Sequence, residues 1–306
     1  MSIIAVDHGN HAIKTPNFHY SSSLTEHLVR PPLSDEIIEY GGKYYTLSGE
    51  RIPYMRDKTR DERFFILTLF AIAKELKQAG SLQGIANIEL AVGLPPEHFG
   101  KQRDRFADYF RREGIINFVY KDTPLSISIN HVSVFTQAFA AVAPKIGELR
   151  QSPQTFIIDI GGYTTDVLLL RYGKPDIRFC RSLETGIITM NNALAGQVNS
   201  LHDMVIEDTH ILAILKNEKT ILPADVQQTI RSAAEQHAGH IVDQLRELQV
   251  DLRSNPAIFI GGGSILLRPY IEQTKQVTAA QFVEDIRANA VGYNMLMAAK
   301  MSATSF

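Results

Sequence analysis

The feature that most constrains this chain is a short design that occurs twice. Ile3-Ile4-Ala5-Val6 runs into Asp7-His8-Gly9, and Thr155-Phe156-Ile157-Ile158 runs into Asp159-Ile160-Gly161. In each, an apolar β-run carries an aspartate to the tip of a strand. The glycine that follows lets the next backbone amides approach an anion closely. The aspartates stand at positions 7 and 159 of 306 residues, so about half the chain separates them. Two occurrences predict two related domains facing one another, not a solenoid.

Composition narrows the function classes. Lys plus Arg total 31 against 33 for Asp plus Glu, so the chain has no global electrostatic reason to coat nucleic acid or an anionic membrane. Hydrophobic residues at 44% and charged residues at 21% suit a chain that buries a real core. The one cysteine, Cys180, rules out an intrachain disulfide and a Cys-based zinc cluster, and its strand context predicts a buried, inert thiol. The first apolar run is short and ends in Asp7, and no stretch reaches about eighteen uncharged apolar residues. Ala298 to Phe306 has no basic amphipathic anchor. A cytoplasmic protein without a membrane partner is expected.

Strand and helix patterns alternate, the mark of an α/β architecture. Ile37 to Tyr40 and Lys43 to Leu47 flank Gly41-Gly42 as a hairpin. A helix is predicted from Asp57 or Thr59, with Phe65, Leu69, Ile72 and Leu76 on its apolar face and Gly80 as its stop. Its charge-rich beginning, Arg56 to Arg63, reads as a solvated helix start. A strand over 88–92, a helix over 97–112, a strand over 115–119 and an Ala-rich helix over 134–142 follow. Pro144 to Pro153 is the best linker. The second half gives strands over 155–158, 167–170 and 177–181, then helices from about Gly186, over 203–216 and over 223–248. A strand over 257–260 and a last helix over 279–299 complete the pattern. The domains are expected to comprise 1–150 with about 280–306, and 151–279.

The two acid-tipped turns make a phosphate clamp. Asp7 and Asp159 can hold a hydrated magnesium, which keeps several waters and takes few carboxylates. Lys14, seven residues after Asp7, can reach a β- or γ-phosphate. A third turn, Ile260-Gly261-Gly262-Gly263-Ser264, offers bare backbone to a flat adenine or a ribose, with an ordinary strand-to-helix turn as the alternative. No Gly-x-x-x-x-Gly-Lys-Ser/Thr occurs, which excludes P-loop chemistry.

Asp7-x-Gly9-Asn10 with Lys14, Asp159-Ile160-Gly161-Gly162-Tyr163-Thr164-Thr165-Asp166 and Ile260-Gly261-Gly262-Gly263-Ser264 resemble the phosphate 1, phosphate 2 and adenosine motifs of the actin, Hsp70 and sugar-kinase ATPase superfamily. Within it, Glu39-Tyr40-Gly41-Gly42-Lys43-Tyr44-Tyr45, Val92-Gly93-Leu94-Pro95 and Ala288-Asn289-Ala290-Val291-Gly292-Tyr293 resemble bacterial actin-like proteins of the plasmid-segregation (ParM/StbA) type. The last of these is similar to that family's second connecting helix. The resemblance implies an actin-like ATPase fold: two related domains, each a mixed sheet flanked by helices, with the nucleotide in the cleft between them. It implies ATP and Mg²⁺ as cofactors, self-assembly into head-to-tail filaments, and an indirect link to plasmid DNA through a DNA-binding adaptor of the ParR type.

The resemblance also implies roles. Asp7 and Asp159 would organise magnesium and its waters, and Gly9, Asn10, Gly161, Gly162 and Tyr163 would grip phosphates mostly through backbone. Thr164 would add a hydroxyl, while Gly261, Gly262, Gly263 and Ser264 would cradle the adenosine. Gln137, in Phe135-Thr136-Gln137-Ala138, matches the first connecting helix's water-positioning residue, with an exposed helix position as the alternative. Asp166 reads as a hairpin stabiliser ahead of a metal ligand, and Glu184 as a helix cap ahead of a ribose contact. His8 and His11 read as solvated turn residues. The rival function is a small-molecule kinase or activator ATPase of the same superfamily that does not polymerise.

Overall fold

The computed structural model describes residues 2–81 and 84–304. In chain order its elements begin with β1 (Ser2–His8), β2 (Ala12–Lys14), β3 (His19–Ser21), β4 (Ser23–His27), β5 (Ile37–Tyr40) and β6 (Lys43–Arg51). Helix α1 (Arg63–Gln78), β7 (Ile85–Leu94), α2 (Pro96–Phe110), β8 (Ile116–Tyr120) and β9 (Thr123–Thr136) follow, then a 3₁₀ segment over Ala140–Lys145 and α3 (Ile146–Leu149). The remainder is β10 (Thr155–Ile160), β11 (Thr165–Arg171), β12 (Lys174–Leu183), α4 (Ile187–His202), α5 (Asp208–Leu215), α6 (Ala224–Glu247), β13 (Ala257–Ile260), α7 (Gly262–Gln273), β14 (Ala280–Phe282) and α8 (Ala288–Thr304).

The chain forms two compact units, Met1–Pro144 with Arg287–Phe306, and Lys145–Ile286. Both follow one plan. The second unit's sheet has the order β12-β11-β10-β13-β14, and the first unit's begins β3-β2-β1-β7-β9 before continuing through β8, β5, β6 and β4. In each, three antiparallel strands lead into a parallel neighbour, β1 beside β7 and β10 beside β13. The repeated Asp-x-Gly design is therefore repeated topology. The first core centres on α1, whose residues from Phe64 to Ala73 are all buried. The second gathers Ile158, Ile160, Leu194, Ile230, Ile241 and Phe259.

Several elements differ from the sequence pattern for physical reasons. Helix α1 starts at Arg63, because Asp57 caps a local turn by accepting the Thr59 amide at 3.1 Å and binds Arg105. The Ala-rich helix expected over 134–142 is a strand up to Thr136, since Val132 to Thr136 pairs in register with β7. The last helix is shorter than expected: Ala280–Phe282 pairs parallel with β13, and helix resumes only at Ala288. The helix expected over 203–216 starts at Asp208, because Asp203 is the left-handed C-cap of α4. Cys180 is only partly covered on the edge strand β12. Gly41 and Gly42, at φ +61° and +75°, form the hairpin turn as the pattern requires.

Helix α8 closes the first unit against β1 and β7. Tyr293 is fully buried and its ring stacks on Phe135. A Cβ on Gly93 would overlap that ring, and one on Gly292 would overlap the Ala140 carbonyl. Gly196, inside α4, has nothing within 4 Å of its would-be Cβ. Gly292→Ala should therefore cost about 3 kcal/mol in a urea titration, because the backbone it strikes has no rotamer to escape into. Gly196→Ala should gain about 1 kcal/mol from helix propensity. Equal midpoints for the two variants would contradict the packing described.

Candidate functional site

The first turn is built on β1, held between β2 and β7 and carrying Asp7 near its end. Register places Asp7 directly opposite Lys14. The Lys14 ammonium lies 3.2 Å from Asp7 Oδ2, and the Gln137 carboxamide donates from Nε2 to Oδ1 at 2.7 Å. The carboxylate is 2% exposed, so both partners offset its desolvation. Gln137 sits past the end of β9, not on a helix: its N–H donates to Leu94 O at 2.9 Å, extending the ladder by one residue. Gly9 allows the turn to close, since a Cβ there would lie 2.6 Å from Ala12 O. Ser22 Oγ donates to Gly9 O at 2.6 Å, and Asn10 is half-buried beside it.

His8 is not a solvated turn residue. It is fully buried, stacked on Phe110 and edge-on to Phe64 and Phe106. Thr68 Oγ1 donates its proton to Phe64 O at 2.7 Å, so in its 2.7 Å contact with His8 it accepts from Nε2–H. Burial, reinforced by the Lys58 charge and opposed by Asp7, lowers the His8 pKa to about 3. His11, by contrast, is exposed.

The second turn repeats the geometry in the other unit. Gly161 N–H donates to Thr164 O at 2.8 Å, closing the turn. The carbonyls of Gly161, Gly162 and Tyr163 accept the amides of Ile187, Ile188 and Gly186 at 2.7 to 3.1 Å. The turn's backbone thus satisfies the otherwise orphaned N–H groups at the start of α4. Glu184 is exposed, and α4 has no side-chain cap, so the helix is not capped by that residue. Thr164 Oγ1 donates to Asp166 Oδ2 at 3.0 Å. Register sets Asp166 opposite Asp159, the position that Lys14 takes opposite Asp7.

The third turn adjoins the second within the same unit, because β13 pairs parallel with β10 and brings Ile260 level with Asp159. Gly261 is the N-cap of α7 at φ +88°, where a Cβ would overlap Asp159 Oδ1. A Cβ on Gly263 would lie 2.5 Å from Ile160 Cγ2. Ser264 is buried, and its Oγ donates to Gly261 O at 2.8 Å, so its hydroxyl holds the turn. Gly262 is exposed.

These residues fit a nucleotide with magnesium. Asp159 and Asp166 stand opposite each other in register, which puts two acidic residues on one face of the β10–β11 pair. At the start of α7 a side chain on Gly261 would strike Asp159 and one on Gly263 would strike Ile160, so glycine is required at both positions. Asn289, which carries no motif signature of a site residue, accepts the Ala138 N–H at 3.0 Å.

Two family models match this chain: the N-terminal domain of actin-like proteins over residues 5–139, and the C-terminal domain of the archaeal MreB-like actin homologue over residues 157–288. Together they span most of its length, and the chain belongs to the actin-like proteins. Its fold is that of the ParM-type and archaeal members. The archaeal actin homolog Ta0583 superposes with a TM-score of 0.77 at 19% identity, covering 98% of this chain and 100% of that one. A ParM from a 15-stranded Clostridium botulinum filament gives 0.77 at 18%, covering 97% and 99%. Bacillus thuringiensis ParM with AMPPNP gives 0.70 at 11%, covering 97% and 98%. A comparison with curated proteins gave no match. No helix among the described residues is long and apolar enough to cross a membrane.

The buried imidazole makes a stability prediction. Below pH 6.5 the unfolded chain takes up a proton at His8 that the folded protein refuses until about pH 3, so stability falls as pH falls through that window. The loss is at most about 1.4 kcal/mol per pH unit for one proton. His8→Gln keeps a donor toward Thr68 and removes the titration, so its urea midpoint should vary less between pH 6.5 and pH 4. Parallel slopes in the two proteins would contradict the buried, neutral state.

Proposed function

We propose that this protein binds ATP with Mg²⁺, hydrolyses it slowly, and polymerises head to tail into filaments whose turnover that hydrolysis drives. The observation that carries this reading is the Asp7 carboxylate, held on one oxygen by Lys14 and on the other by Gln137, at the end of a strand in an actin-like chain. Two nucleotide complexes among the similar structures, Ta0583 with ADP and B. thuringiensis ParM with AMPPNP, support the cofactor. The C. botulinum ParM filament supports self-assembly.

Both acid-tipped turns act on one bound ATP. When bound, magnesium neutralises phosphate charge and polarises the oxygens that carry it. Asp7 and Asp159 would hold its hydration shell, and the turn amides of Gly9, Asn10 and Gly162 to Thr164 would bind phosphate oxygens, while the Gly161 N–H closes the second turn. Lys14, already beside Asp7, adds positive charge at the terminal phosphates. The glycines at 261–263 lay bare backbone against the adenosine. With Gln137 Nε2 spent on Asp7, its Oε1 is the acceptor that orients the attacking water. A carboxamide is a very poor base, so this arrangement positions water without activating it strongly, which suits a slow timer.

A heterologous contact that does not close into a ring makes a filament. A triphosphate gripped by both units favours one arrangement of them, and loss of the γ-phosphate removes that preference and weakens longitudinal contacts. The family resemblance points to plasmid segregation in the cytoplasm. A net charge of -2 fits a link to plasmid DNA through a DNA-binding adaptor of the ParR type, not direct binding.

Sedimentation with ATP and Mg²⁺ tests the reading: the protein should pellet only when both are present. Acceptor-dependent ADP release with no pelleting would instead support a small-molecule kinase or activator ATPase of the same superfamily. Asp159→Ala should abolish phosphate release while the circular dichroism spectrum is retained, and unchanged turnover would remove Asp159 from the site. Gln137→Ala should slow release by about a hundredfold and lengthen filament lifetime. Equal release in the two proteins would count against the water-positioning role.

A further inference from the structure

The link between β9 and the 3₁₀ segment contains a strained turn. Phe139 N–H donates to Gln137 O at 2.7 Å, a three-residue turn centred on Ala138, whose φ is +64°. This is the positive-φ hand of the γ-turn, rare and unfavourable for a residue with a Cβ. Ala138 is fully buried, so its N–H has no water to bind. That N–H donates instead to Asn289 Oδ1 at 3.0 Å, from the first turn of α8.

The turn fixes where Gln137 points. On one side Gln137 N–H is tied to Leu94 O at the end of β7. On the other, the chain reverses at Ala138 and passes beneath Gly292, whose missing side chain admits the Ala140 carbonyl. Between these anchors Gln137 reaches Asp7 Oδ1 at 2.7 Å. A backbone in an unfavourable region persists only where its surroundings over-determine it, and such strain gathers at functional positions. Here the over-determining contact is the one from Asn289.

We propose that Asn289 is a positioning residue for hydrolysis. Its carboxamide oxygen, by accepting the Ala138 amide, holds the strained turn that aims Gln137 at Asp7. Without that acceptor Ala138 relaxes toward negative φ, and the Gln137 carboxamide leaves its place beside the carboxylate. Nucleotide affinity is untouched, because the bond from Ala138 N–H to Asn289 Oδ1 ties the link to α8 and is not made to a phosphate or adenosine turn. The role rests on the ATP-hydrolysing reading above.

The test compares wild-type protein with Asn289→Ala, Asn289→Ser and Asn289→Asp. Alanine removes the acceptor, serine withdraws it by one bond, and aspartate keeps an oxygen in place. Three readouts apply: amide exchange at Ala138 in nucleotide-free protein by NMR, AMPPNP affinity by calorimetry, and single-turnover phosphate release. Alanine and serine should each speed Ala138 exchange and slow phosphate release by about tenfold, the scale of one lost buried hydrogen bond. Affinity should stay within about twofold, because the nucleotide contacts remain. Aspartate should restore both exchange and release. If alanine prevents folding, serine decides the outcome. Faster exchange with wild-type release, or unchanged exchange in both variants, overturns the role of Asn289 alone. A wild-type protein that releases no phosphate from ATP overturns the hydrolytic reading itself, and this role with it.

Discussion

A buried carboxylate is costly unless it is paired and hydrogen-bonded. Asp7 meets that condition through a cross-strand lysine and a glutamine from a distant part of the chain. The rest of the first unit is arranged around that requirement. β7 lies parallel to both β1 and β9, so their ends finish side by side. Lys14 arrives by hairpin register, and Gln137 by the extension of β9 past Thr136. Helix α8 then presses on the link through Asn289, Gly292 and Tyr293. The sheet order and the site are consequences of one another.

The two units share a strand plan, and their hairpins share a spacing, but not a charge pattern. Seven residues after its aspartate the first hairpin carries Lys14, and the second carries Asp166. The first turn is therefore internally compensated, while the second gathers negative charge beside the start of α7, where a helix N-terminus favours it. On the proposed reading this divides the labour. The first turn presents a cation and a water-positioning amide to the terminal phosphates, and the second calls for magnesium.

Much of this was legible in the sequence because it depends on local chemistry. Asp7 and Asp159 end apolar strands, Gly41-Gly42 makes a turn that only positive φ allows, and α6 follows its own periodicity. What was not legible depends on partners far along the chain. Ala138, Phe139 and Ala140 read as helix by propensity, but pairing of the preceding residues with β7 holds the segment in a strand until the strained turn. Ala280–Phe282 became a strand only because β13 offered an edge. The cap of α4 comes from backbone carbonyls, which carry no signature in residue type. The burial of His8 has the same origin: its aromatic cage is assembled from α1 and α2, remote in sequence from the turn.

The central claim is that one nucleotide engages both acid-tipped turns. Hydrogen exchange followed by mass spectrometry across a titration with AMPPNP and Mg²⁺ tests it most directly. Protection should rise together over residues 9–14 and over residues 161–164 and 261–264, with one shared midpoint. Protection confined to either set, or two separate midpoints, would mean that the turns do not act on the same molecule.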